Sequence, residues 1–144
     1  MPKSVIYTSP AEVERAFYEA FERADLDAMM SVWAEDEEVV CVHPTGARLT
    51  GFEQIRKSWA QLFRGAQQLR IKLTTQVHFN GMLLAIHSVH ENITVSGESR
   101  TRHPLVATNV YMRTSDGWRM VLHHASPVPE VPARGAGEGP KTLH

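Results

Sequence analysis

Apolar residues follow a helical period through two stretches of the first half of the chain and a strand period through most of the second. Val13, Ala16, Phe17, Ala20, Phe21 and Ala24 recur at three- and four-residue spacing as one stripe, with Glu14, Arg15, Glu19, Glu22 and Arg23 forming a solvated face. Ahead of them, "SPAE" at 9–12 supplies an N-cap serine, a first-turn proline and a reciprocal capping acid, so a helix starts there. Asp25 caps a short second helix carrying Leu26, Met29, Met30 and Trp33 inward. The acidic "EDEE" at 35–38 reads as a solvated connector into a strand over 39–43. "TGFE" at 50–53 predicts a second capping box and a helix with Phe52, Ile55, Trp59, Leu62 and Phe63 on one face. The period then changes to two: Leu69, Ile71, Leu73, Val77 and Phe79 alternate with Arg70, Lys72, Gln76 and His78. Asn80-Gly81 signals a hairpin, strands follow over 82–95 and 103–114, and Ser115–Gly117 turns the chain into a last strand from Trp118.

Three helices with one short strand among them, followed by four strands in antiparallel meander, predict an α+β domain in which a curved antiparallel sheet forms a cone with the helices packed on it. Residues 1–127 make that domain, and the Pro- and Gly-rich 128–144 reads as a mobile tail. A 144-residue chain that is 42% hydrophobic supports a single core, and a net charge of -1 offers no basic excess to attract nucleic acid. No run reaches the length of a membrane span and no signal peptide opens the chain, so a soluble cytoplasmic protein is expected, with no membrane partner. The one cysteine, Cys41, sits in an apolar run and is expected to be a buried thiol.

Candidate chemistry starts at "VVCVHPTGARLTG", where a strand ends on His43-Pro44. A histidine at a pocket wall can take or give a proton near neutral pH. Asn109 shares strand parity with Leu105, Ala107 and Tyr111, so its amide lies among apolar neighbours and needs a partner. Strict alternation from Trp118 puts His124 with Met120 and Leu122 and leaves His123 on the other face with Arg119 and Val121. Trp33 and Trp59 lie on inward helix stripes. His87 and His90 face opposite ways, and no pair has chelating spacing, so no metal is expected. No phosphate loop or G-x-S-x-G elbow is present, and no cofactor is expected.

The "DLD" helix start, Trp33, the "HP-x-G" stretch through Gly51, "SW" at 58–59 and "GW" through "HHASP" resemble the SnoaL-like branch of the nuclear-transport-factor-two-like superfamily over residues 8–127. The resemblance implies a cystatin-like cone, dimerisation through the outer face of the sheet, and a hollow interior used differently by different members. Ketosteroid isomerase, polyketide cyclases, dehydratases and the association module of calmodulin-dependent kinase all belong to that superfamily. Its isomerases keep an acidic base before the proline that ends the first strand, a place held here by His43. Their two oxyanion donors fall at Phe17, which has no donor, and at Asn109. The resulting expectation is a homodimer binding a small apolar organic ligand through Trp33, Trp59, Tyr111 and His124. If it is an enzyme, His43 and Asn109 are its catalytic residues in a non-covalent isomerisation, cyclisation or dehydration of a carbonyl compound. The alternative is a non-catalytic association domain with a packed interior and no connected cavity beside His43.

Overall fold

A computed structural model describes residues 5–98 and 103–129. The chain runs α1 (Pro10–Arg23), α2 (Leu26–Val32), β1 (Val40–Val42), β2 (Arg48–Thr50), α3 (Phe52–Phe63), β3 (Leu69–Asn80), β4 (Leu84–Val95), β5 (Leu105–Thr114) and β6 (Gly117–Pro127). Ser9 caps α1 by accepting from the Glu12 amide, while the Glu12 carboxylate accepts from the Thr8 amide. Asp25 caps α2 through the Ala28 amide. The expected capping box at α3 does not form. Thr50 belongs to β2, so the N-cap falls on Gly51 at φ 91°, and Gln54 reaches back to the Thr50 amide instead. From residue 130 onward the expected tail lies outside the described residues.

The six strands form one open, curved sheet in the order β2-β1-β6-β5-β4-β3, with the helices on its concave side. Four strands make the expected meander. The sheet is mixed rather than wholly antiparallel, because β1 joins β6 in parallel, Val40 opposite Leu122. β2, which no sequence pattern had marked, pairs back on β1. Among the described residues no helix is long and apolar enough to cross a membrane.

Two irregularities decide which side chains face the helices. In β6, Val110 lies opposite Leu122 but Tyr111 lies opposite Met120, so Val121 is an extra residue without a partner. One inserted residue inverts the alternation beyond it. Met120 faces inward, and then His123 and Ala125, not Leu122 and His124. In β3 the register shifts between Thr74 and Val77, with Thr75 at φ 50°. Beyond that shift His78 pairs with inward-facing His87, and Val77 and Phe79 turn to the outer face.

The core joins Val13, Phe17 and Ala20 of α1, Met29 of α2 and Ile55 and Trp59 of α3 to the concave face of the sheet. Residues 5–7 run beside β6, where the Trp118 amide donates to the Tyr7 carbonyl. Gly117 holds φ 95°, and a Cβ there would stand 2.8 Å from that carbonyl oxygen. Gly117→Ala is therefore expected to destabilise the protein by about 2 kcal/mol, read as a lower urea midpoint. An unchanged midpoint would mean that the segment before α1 leaves β6 without cost.

Candidate functional site

Glu14, Tyr18 and Glu22 lie four residues apart along α1 and form one row of the helix. All three reach the sheet. Glu14 Oε2 is 3.1 Å from His87 Nδ1, the Tyr18 hydroxyl donates to Glu91 Oε2 at 2.6 Å, and Glu22 Oε2 accepts from the Ile71 amide at 2.7 Å. Glu14 and Glu22 had been placed on the solvated face. They are drawn in because the curved sheet wraps that side of α1 and offers it a histidine and an open β3 amide.

From Tyr18 the bonding continues across the sheet. Asn109 Nδ2 donates to the Tyr18 oxygen at 3.0 Å, and Asn109 Oδ1 is 2.6 Å from His123 Nδ1. A carboxamide oxygen only accepts, so His123 carries its proton on Nδ1. Every bond in the chain His123, Asn109, Tyr18, Glu91 therefore points its proton toward the Glu91 carboxyl, and all four residues are buried. Nearby, the Tyr111 hydroxyl and the indole nitrogens of Trp33 and Trp59 are buried with no hydrogen-bond partner among the described residues.

His43 follows the end of β1 and is half-buried, its ring edge-on to Trp59 at 4.8 Å between centroids. Ser58 Oγ donates to the Ile55 carbonyl, so at 3.1 Å it accepts from His43 Nε2. That fixes the tautomer and leaves Nδ1 as the basic nitrogen. Burial holds the ring below the ordinary histidine range. Cys41, 3.8 Å from His43 Nε2, is pushed up to about 12 by burial and is an inert thiol rather than a nucleophile.

Of the residues singled out from sequence, the structure thus brings Asn109, Tyr111, Trp59 and His43 to the concave side together. Trp33 sits in the core beside Met120. His124 is exposed on the outer face, and the bulge at Val121 gives its inward place to His123. Phe17 packs against Trp59 and His123 without a polar role, while Tyr18, one residue on, supplies the α1 hydroxyl. Tyr18 and Glu91 were missed; the polar row Glu14, Tyr18 and Glu22 is visible on α1, but its match to His87 and Glu91 on β4 exists only once helix and strand are packed together. A groove of about 870 Å³ lies between α2 and the start of β6, and a pocket of about 190 Å³ between Phe21, Phe63, Leu69 and Val95. Neither is lined by His43, Asn109 or His123.

Burial pushes the Glu91 carboxyl from its ordinary 4.5 up to about 7, opposed by the hydrogen bond from Tyr18. Burial pushes His123 from 6.5 down to about 3, helped by the charges of His43 and His124. Glu91 thus contributes stability that is complete below pH 4.5 and lost as the pH rises through 7, and His123 contributes stability complete above pH 6.5 and lost as it falls toward 3. Between 4.5 and 6.5 the two slopes offset. Glu91→Gln removes the opposing carboxyl slope, so the variant is expected to gain stability with rising pH in that window more steeply than the parent, by up to about 1.4 kcal/mol per unit. Urea midpoints across the window check this, and a variant with the same slope as its parent would mean that the Glu91 carboxyl is not raised inside the fold.

A model of the SnoaL-like domain matches residues 11–130. A candidate calcium/calmodulin-dependent protein kinase type II association domain from Thiobacillus denitrificans is 41% identical, with a TM-score of 0.82 over 87% of this chain and 99% of that one. A candidate dehydratase of the NTF2-like family from Streptomyces avermitilis is 33% identical, with a TM-score of 0.74 over 83% of this chain and 94% of that one. Among curated proteins, F-box protein SKIP8 of Arabidopsis thaliana is 25% identical over 114 residues, 79% of this chain, and the chain spans about half of that relative's length. With the cone, its helices and its inward polar residues in place, the chain belongs to the SnoaL-like domain family.

Proposed function

We propose that the protein is a self-association domain whose copies pair through the outer face of the sheet. The observation that carries this is the apolar character of that face: Val77 and Phe79 are 66% and 64% exposed, beside Leu84 and Met112, and Ile86 and Val110 continue the patch across β4 and β5. Side chains this large stand in water at a cost, and a second copy of the same face would remove them from it. On the concave side the polar groups bond mostly to one another, which suits a domain whose interior is structural. The likeness to the candidate association domain supports the same reading. Analytical ultracentrifugation of the full chain is expected to give a dimer at micromolar concentration, and V77E/F79E a monomer with its circular dichroism spectrum retained. A monomeric parent, or a variant that still dimerises, would remove the basis for this function.

One observation favours a second reading, a small-molecule site for non-covalent acid–base chemistry on a carbonyl compound. Three donors, Trp33 Nε1, Trp59 Nε1 and the Tyr111 hydroxyl, are buried without partners among the described residues, and Trp59 packs against the His43 ring. In it, His43 Nδ1 is the base, the second Asn109 Nδ2 proton, not used on Tyr18, polarises the substrate oxygen, and the candidate dehydratase is the supporting relative. Native mass spectrometry of freshly purified protein is expected to show a retained small molecule that Asn109→Leu loses. Protein that carries no added mass and gives the same spectrum in both forms would leave only the association reading.

A further inference from the structure

We propose that Glu14, His78 and His87 bind a divalent transition ion of the zinc class at the β3 bulge. The three come from α1, β3 and β4, and their donor atoms lie within 4.8 Å of one another. His78 and His87 are cross-strand partners with rings stacked at 3.7 Å between centroids and 12° between planes. The placement depends on the register shift in β3. With unbroken alternation from Leu73, Val77 would face α1 and His78 the outer side; the left-handed Thr75 and the extra residue reverse them.

Two imidazoles and one carboxylate, held by three separate elements, are the donor set of zinc sites that keep a fourth position open to water. Glu14 and His87 are fixed: His87 is buried edge-on to Tyr111, and its Nδ1 already faces Glu14 Oε2 at 3.1 Å. An ion would take the place of the proton between them. His78 is exposed and supplies both the entry path and the adjustment. Ligands around a tetrahedral zinc stand about 3.4 Å apart, so the present spacing closes by roughly 1.5 Å through rotation of that one side chain. Gln76 Oε1, 3.0 Å from His78 Nε2, accepts from that nitrogen and leaves Nδ1 without a proton.

Cobalt(II) titration of the full chain without an affinity tag, followed by visible absorption, tests the site. One ion per chain is expected, with bands of a four- or five-coordinate ion that zinc abolishes by displacement. His78→Ala and Glu14→Gln are each expected to weaken zinc binding at least tenfold, with His124→Ala unchanged. Zinc should raise the melting midpoint of the parent but not of His78→Ala, whose exposed position leaves the fold intact. No saturable one-to-one binding in the parent, or equal affinity in His78→Ala, overturns the site.

Discussion

The Tyr18 hydroxyl accepts from Asn109 and donates to Glu91, and through it α1 is joined to the middle of the sheet. Curvature imposes this. A sheet bent around one helix encloses groups from both, and any polar side chain among them must find its partner inside. An unsatisfied buried donor or acceptor costs about 1–3 kcal/mol, so a four-member chain is stable as a whole and vulnerable at each link. Burial raises the Tyr18 and Tyr111 hydroxyls well above the ordinary tyrosine range, which keeps both as donors at any pH where the fold survives. The carboxyl at the end of the chain, lifted to about 7, stands close to the point where a proton is shared evenly with solvent.

The bulges in β3, at the edge of the sheet, and in β6, in its interior, have the same effect. Each inserts one residue into a regular strand and exchanges its two faces beyond that point. In β6 the exchange brings His123 to Asn109; in β3 it brings His78 to His87 and sends Val77 and Phe79 outward. Both the inner chemistry and the outer apolar face therefore follow from where the two strands slip.

This explains which features could be read from the residues. Helical stripes and their caps are local, so Ser9, Asp25 and the stripe through Val13 and Phe17 locate α1 and α2 directly. Asn109 was legible because β5 alternates without interruption from Ala107 to Tyr111. His124 was misplaced because the extra residue at Val121 is visible only against β5. β2 has three residues and no period of its own. Tyr18 and Glu91 are 73 positions apart, and an amphipathic stripe counts apolar residues only, so nothing local identifies them as a pair.

The parallel pairing of β1 with β6 also bears on the order in which the molecule assembles. Val40 meets Leu122 about eighty residues later, and β1 has β6 on one side and the three-residue β2 on the other. Bringing such distant segments together costs loop entropy before any contact forms. On a ribosome, α1, α2 and the β1–β2 pair emerge well before the strand that completes them. Until then Cys41 and the Met29 side of α2 have no sheet to cover them, and the nascent chain carries an exposed apolar surface of the kind chaperones hold.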